Sequence, residues 1–330
     1  MIRRRSRLGA VTAITMVAAC AIAMPRQAHA ADGFPAKPVR LIVPYAAGGG
    51  TDLLARVVGH KLGTMWGQQV VIDNRVGAGG RVATELTVRA APDGYTLLLV
   101  SAAHAINAGM YHDLPYDSVA DVTPIGLWTT APYVLVVNAK RPIASIPDLI
   151  AAAKRNPGQL TYSSSGNGSG PHLAGELFKM LAGIDMVHVP YKGGGPEMSA
   201  LLGGETTMSF ASIASARPLL ESGELKALGV TTTVRARGLP DVPPIAEAGL
   251  PGYDFTTWYG VLAPAGLDPE IVSLLNRAMS AAVRDPEVAE RLVAEGFEPD
   301  PDSPSEFAAL IKAEIVKDAK IIAVSGARIE

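Results

Sequence analysis

Pro44-Tyr45-Ala46-Ala47-Gly48-Gly49-Gly50-Thr51-Asp52 joins the apolar run 39–43 to an amphipathic run that starts at Leu53. The pattern predicts strand, glycine-rich turn and helix. Thr51 is expected as the N-cap, with Leu53, Leu54, Val57, Val58, Leu62 and Met65 on one helical face. Three glycines let the backbone approach a ligand closely and aim several N–H groups at it. The helix that follows adds the positive end of its dipole. Ala47, Gly48, Gly49, Gly50 and Thr51 are therefore candidate ligand contacts. Asp52 is expected to cap or brace the loop, because a carboxylate facing an anion would repel it.

The same grammar returns at Ser163-Ser164-Ser165-Gly166-Asn167-Gly168-Ser169-Gly170-Pro171-His172. A strand with Leu160 and Tyr162 precedes it, and a helix through Leu173–Leu181 follows. Ser164, Ser165, Gly166, Asn167, Gly168 and Ser169 join the candidates. Neither loop contains Lys or Arg, so helix dipoles and N–H donors must neutralise any bound anion. Each dipole supplies ~0.3–2 kcal/mol and each charge-assisted hydrogen bond ~1.5–3 kcal/mol net. After the cost of association, roughly micromolar affinity is expected, about −8 kcal/mol.

The N-terminus reads as an export signal. Arg3, Arg4, Arg5 and Arg7 precede an apolar stretch from Leu8 to Met24, and Ala28-His29-Ala30 fits a cleavage site. Two competing patterns overlap it: Val17-Ala18-Ala19-Cys20 resembles a lipobox, and Arg4-Arg5 hints at twin-arginine export. Residues 1–30 hold five Arg and no acid, so their removal leaves 24 Lys and Arg against 31 Asp and Glu, a net charge of −7. An acidic exported chain is a poor nucleic-acid binder. Cys20 is the only cysteine, so the mature chain has no disulfide, thiol catalyst or Cys-ligated metal. The 330-residue chain is 48 % hydrophobic, enough for one or two domains with a substantial core.

Strand and helix signals alternate after the signal. Val70-Val71-Ile72 runs into the turn Asn74-Arg75-Val76-Gly77-Ala78-Gly79-Gly80, in which Arg75 is expected to brace the loop. A helix over 82–90 follows. A strand over 96–100 leads to a polar loop, Ser101-Ala102-Ala103-His104-Ala105-Ile106-Asn107. Ser101 and His104 are candidates there. A strand at 133–137 reads as a crossing point, and a second strand–helix series runs to Val230. The Pro- and Gly-rich segment 240–252 reads as a return linker. A strand from Phe255 follows. Helices then start at Asp268-Pro269, Asp285-Pro286 and Ser303-Pro304-Ser305-Glu306, the last a capping box. The expected architecture is α/β, with one lobe of residues 31–131 plus 252–330 and a second of 132–251, joined at a hinge. Binding loops sit at the carboxyl ends of parallel strands. Such a pair of lobes closes on a ligand.

The chain resembles the substrate-binding proteins of tripartite tricarboxylate transporters, the Bug family. The resemblance covers nearly all of the mature chain. It is carried by Pro44-Tyr45-Ala46-Ala47-Gly48-Gly49 with Asp52, Asn74-Arg75 with Gly77-Ala78-Gly79-Gly80, Pro92-Asp93-Gly94-Tyr95 and the 163–172 loop. Val189-Pro190-Tyr191-Lys192-Gly193, Ser222-Gly223 with Leu225-Lys226-Ala227-Leu228, and Trp258-Tyr259-Gly260 complete it. It implies a type II periplasmic-binding-protein (venus-flytrap) fold. The ligand's carboxylate would lie between loops 46–52 and 163–172, bound by N–H groups and ordered waters. The family often has Thr or Asn around 101–104, where this chain has Ala102-Ala103; that leaves the ligand's identity open.

Tyr191, Ser212 and Trp258 either line the cleft or pack in the hinge. His104 and His172 read as hydrogen-bonding residues rather than bases. Gly166-x-Gly168-x-Gly170 lacks dinucleotide-fingerprint spacing, no metal-ligand spacing is visible, and no cofactor is expected. The expected function is a non-catalytic, monomeric, periplasmic receptor. It would hand a small carboxylate to the membrane subunits of a tripartite transporter. The alternatives are a sensor feeding a membrane kinase and, more distantly, an enzyme on the same fold.

Overall fold

The computed structural model describes Met1 and residues 33–325. Beyond Met1, the expected export segment, its cleavage site and Cys20 lie outside the described residues. In chain order the first elements are β1 (Val39–Val43), α1 (Gly50–Trp66), β2 (Val70–Asn74), α2 (Arg81–Val88), β3 (Thr96–Ser101), α3 (Ala103–Met110) and β4 (Val122–Asn138). Next come α4 (Ile146–Arg155), β5 (Thr161–Ser164), α5 (Gly170–Ala182), β6 (Val187–Pro190), α6 (Gly194–Gly203), β7 (Met208–Ser212), α7 (Ile213–Glu221) and β8 (Leu225–Val230). The chain closes with β9 (Thr256–Pro264), α8 (Pro269–Arg284), α9 (Pro286–Ala294), β10 (Glu298–Pro299) and α10 (Pro304–Ser325).

The fold is a two-lobe α/β periplasmic-binding-protein architecture, and the lobes repeat one plan. In the first, the parallel strands run in the order β2-β1-β3, with β9 antiparallel beside β3. In the second the order is β6-β5-β7, with β4 antiparallel beside β7. Parallel strands demand crossover helices on both faces, so their side chains are buried on both sides. Leu41, Val43, Leu97 and Leu99 pack with Leu54, Val58 and Leu275 on one face. Ile42, Leu98 and Val100 join Ala83 and Ile106 on the other.

Strand β4 ties the lobes together. Its residues 122–132 pair with β9, whereas residues 133–138 pair with β7 and β8. Only 133–137 is legible as a strand in the sequence, because Pro124, Gly126 and Pro132 read as breakers. The structure accommodates Pro124 and Gly126 with irregular register, shifting between Pro124 and Gly126 and again between Leu127 and Thr129.

Two local expectations are corrected. Thr51 is not the cap of α1: the helix starts at Gly50 with Gly49 as N-cap and no side-chain cap bond. Of its expected apolar face, Met65 is exposed and Leu53 half-buried. The segment expected as a polar loop after β3 is helix α3. His104 and Asn107 suggested polarity, but Ala102, Ala103, Ile106 and Met110 are buried at helical spacing. The capping box at the start of α10 forms as expected: Glu306 N–H donates to Ser303 Oγ at 3.3 Å, and Ser303 N–H to Glu306 Oε2 at 3.0 Å.

Helix α10 packs on α3, β4 and α5, so it touches both lobes. One of its acids is out of place there. Asp318 is 1 % exposed and its Oδ2 has no hydrogen-bond partner among the described residues. Burial, reinforced by Glu314 against the opposing pull of Lys317, pushes its carboxyl up to about 8. An unfolded Asp titrates near ~3.9. Between those values the folded chain therefore holds a proton that the unfolded chain has lost. Stability falls as pH rises through this window and levels off above it. Asp318→Asn is expected to stabilise the protein by ~1–3 kcal/mol at pH 8.5 and far less at pH 5. Melting curves at the two pH values check this; an equal shift at both would contradict the buried proton.

Candidate functional site

The carboxyl ends of the parallel strands in both lobes face one cavity of about 390 Å³. Four helices begin on its wall. Tyr45–Gly49 and Gly50 bring the N-terminus of α1; Ser169, Gly170 and Pro171 bring that of α5. Gly193–Pro196 bring that of α6, and Ser212 with Ala214 that of α7. A helix N-terminus leaves its first N–H groups unpaired and carries partial positive charge. Helices α5 and α7 are capped by serine: Ser169 Oγ accepts from His172 N–H at 3.4 Å, and Ser212 Oγ from Ser215 N–H at 3.3 Å. Helices α1 and α6 have glycine caps with no side-chain acceptor. Among the described residues, no side chain caps their first-turn N–H groups. Gly48 turns with φ +84°, a left-handed conformation that glycine adopts without strain.

Asp52 fixes the first loop. Its Oδ2 accepts from Gly48 N–H at 2.9 Å and Arg56 Nε at 2.8 Å; its Oδ1 accepts from Asn74 Nδ2 at 3.0 Å. Asn74 Nδ2 also donates to the Tyr45 carbonyl at 2.9 Å, so one amide ties β2 to both ends of the loop. Burial alone would raise the Asp52 carboxyl. The bonds from Arg56, Gly48 and Asn74 outweigh it and hold the group below the ordinary carboxylate range. Asp52 thus points away from the cavity as a loop brace. Arg75 pairs with Asp73 at 2.9 Å, bracing the next turn.

The cavity floor is built by a repeated pairing. Ser101, at the end of β3, lies opposite Tyr259 on β9; Ser212, at the end of β7, lies opposite Tyr133 on β4. All four line the cavity, with Tyr45 beside them at 3.2 Å from Ser101 Oγ. Burial pushes the Tyr45, Tyr133 and Tyr259 hydroxyls up, so they stay neutral hydrogen-bond donors. These tyrosines were not among the sequence candidates. Tyr133 and Tyr259 come from the crossing strands, and no local pattern marks them; their cross-strand register does.

The candidates divide accordingly. Ala47, Gly48, Gly49, Gly50, Thr51, Ser101, Ser165, Ser169 and Ser212 line the cavity. Ser164, Gly166, Asn167 and Gly168 do not line the cavity; Asn167 is exposed, and the others shape the second loop: Ser164 Oγ meets His188 Nε2 at 2.6 Å and accepts from Gly166 N–H at 3.2 Å. Gly168 N–H donates to His172 Nδ1 at 3.2 Å. His172 stacks on His188 with ring centroids 3.9 Å apart. Burial lowers His172 to about 4 and His188 to about 3, so both are neutral supports at pH 7. His104 is buried behind β3 with Nε2 at 2.8 Å from the Ser118 carbonyl oxygen. Tyr191 turns outward, donating to Glu205 at 3.1 Å. Trp258 packs edge-on against Phe307. Ala102 and Ala103 are buried away from the cavity.

The charged lining residues are Lys192, Glu197 and Glu295. Lys192 is exposed and is the one cation among the described lining residues. Glu197 accepts a hydrogen bond from the Ser209 hydroxyl, which is fully buried and does not line the cavity.

The model of the tripartite tricarboxylate transporter family receptor matches residues 54–326. The chain belongs to this receptor family. Protein BugT of Bordetella pertussis is 37 % identical to it, covering 98 % of this chain and 99 % of its own length. A solved structure of a Rhodopseudomonas palustris protein with adipate superposes at a TM-score of 0.85 with 37 % identity, over 89 % of this chain and 98 % of that one. Another from the same organism, MatC with bound malate, gives 0.82 with 32 % identity, over 88 % and 100 %. Among the described residues, no helix is long and apolar enough to cross a membrane.

Proposed function

We propose that this receptor is a non-catalytic periplasmic protein that captures a small dicarboxylate and delivers it to the membrane subunits of a tripartite transporter. The observation that carries the reading is the convergence of four helix N-termini, two without side-chain caps, on one cavity whose floor is neutral hydroxyls. That arrangement suits an anion with several acceptor atoms. One carboxylate sits against the α1 and α5 N-termini, and the second lies near Lys192 at the rim. Malate and adipate in the two related structures are both dicarboxylates. Delivery to a transporter and residence in the periplasm rest on the family's description and on the export-like segment 1–30. Lobes of 31–131 with 252–330, and of 132–251, move about the crossings. This division is supported by the change of partner at Tyr133 and by the bonds from Thr231 to Tyr133 and from Phe255 to Thr231.

A thermal-shift panel of mono-, di- and tricarboxylates, each paired with its amide, tests the proposal. A binder raises the melting temperature with its concentration. Dicarboxylates are expected to shift it and their amides are not. Equal shifts by acid and amide, or conversion of a ligand detected by mass spectrometry, would contradict it. Lys192→Ala tests the second carboxylate. An exposed ion pair contributes ~0.2–1 kcal/mol, so dicarboxylate affinity should fall by a factor between about 1.4 and about 5 while monocarboxylate affinity stays constant. Calorimetry on both ligand classes reads the difference.

A further inference from the structure

Glu197 stands in the first turn of α6, on the wall of a cavity otherwise built to attract anions. It is 2 % exposed. Its Oε1 accepts a short hydrogen bond from the Ser209 hydroxyl, and Ser209 is itself fully buried on β7. No cation pairs with it among the described residues. The elements packed against α6 are β4, β5, β7 and α7. From β4, Tyr133 faces it with a neutral hydroxyl. On β5, Tyr162 is engaged with Glu176; on α7, Arg217 donates to the Gly238 carbonyl and Glu221 is exposed. An ionised carboxylate here would be buried with the Ser209 hydroxyl but without a cation to balance its charge, and it would repel the anion that the helix N-termini attract. A protonated carboxyl has neither fault. With Ser209 donating to Oε1, the proton belongs on Oε2, where it becomes one more donor.

We propose that Glu197 enters the binding site as a carboxylic acid whose Oε2–H donates to the bound carboxylate, so that ligand capture is coupled to retention of one proton. The inference rests on the carboxylate reading of the cavity given above. Burial, against the opposing Ser209 hydrogen bond, pushes the Glu197 carboxyl up to about 8, which agrees with a group that is neutral at pH 7. The ligand binds only the protonated form. Affinity is therefore flat at lower pH and falls about tenfold for each pH unit above 8.

The experiment is calorimetry of the mature chain with malate and adipate between pH 6 and 9, each in two buffers of different ionisation enthalpy. The ligand carboxylates are predominantly ionised throughout this range. Wild-type affinity should fall about tenfold between pH 6 and pH 9. Uptake of close to one proton per ligand is expected at pH 9, and of none at pH 6. Glu197→Gln keeps a neutral donor of the same shape; its affinity should not change with pH and its proton uptake should vanish. Glu197→Ala should bind about tenfold more weakly at pH 6 than Glu197→Gln. Asp318→Asn, remote from the cavity, should retain the full wild-type pH dependence. If an acid binds with pH-independent affinity and no proton uptake, the inference fails and the carboxylate reading stands. The inference also fails if Glu197→Gln keeps the wild-type dependence. If no acid binds at any pH, both fail.

Discussion

Asp52→Ala is expected to weaken carboxylate capture by about a hundredfold, ~2.8 kcal/mol. The carboxylate holds three donors in place: Gly48 N–H, Arg56 and Asn74. A hydrogen bond to a charged group contributes ~1.5–3 kcal/mol, and these bonds fix the loop before a ligand arrives. Without Asp52 the Gly48 peptide is free to rotate, and the Asn74 amide keeps only the Tyr45 carbonyl. The glycines of the loop then adopt many conformations, and binding must select one of them. Asp52→Asn should fall between, because an amide accepts through one oxygen and offers the Arg56 side a donor. Calorimetry measures affinity and a melting curve reports stability. Both are expected to fall: the melting temperature because the fold loses these bonds, and affinity, measured well below the melting temperature, because the loop is no longer fixed. Unchanged affinity would show that the loop is ordered by something other than Asp52.

The second large effect comes from one methyl group. Gly170 opens α5 at the cavity, and a Cβ there would lie 2.3 Å from the Tyr133 hydroxyl oxygen and 2.9 Å from its ring. Tyr133 has little freedom to yield: it is buried and stacked near Phe255 at the crossing between lobes. Overpacking of this kind costs ~1–3 kcal/mol. Gly170→Ala should therefore lower the melting temperature, and it should weaken ligand binding at least about tenfold by displacing both the α5 N-terminus and a floor hydroxyl. Adding Tyr133→Phe removes the closest atom. The double variant should recover part of the lost stability, a coupling that independent sites would not show. Purely additive losses would mean that the two residues do not share the strain.

The sequence makes the repeated elements legible because strand, glycine turn and helix are short-range patterns. The Val39–Val43 strand, its loop and α1 form one such unit, and Thr161–Ser164, its loop and α5 form another. What it hides is set by long-range register. Ser101 and Ser212 are each visible at a strand's end, yet the tyrosines opposite them depend on β9 and β4 crossing at one register. Strand β4 itself is masked by Pro124, Gly126 and Pro132, whose disruption the sheet accommodates locally. Helix α3 is legible in principle: its buried alanines, Ile106 and Met110 keep helical spacing, although the polar His104 and Asn107 suggest a loop. Glu197 follows a Gly-Gly-Gly-Pro turn and reads as an ordinary first-turn acid. Only the packing of α6 on β7 buries it beside Ser209.

The central claim is that backbone N–H groups at helix N-termini, rather than a cationic side chain, hold the ligand's carboxylate. A crystal structure of the mature chain with the tightest-binding acid tests it most directly. The expected result is one carboxylate within hydrogen-bond range of the N–H groups of Gly49, Gly50, Thr51 and Gly170, directly or through one water, with the Tyr45, Tyr133 or Tyr259 hydroxyls beside it. A ligand whose only carboxylate contact is Lys192, with those N–H groups unoccupied, would contradict it.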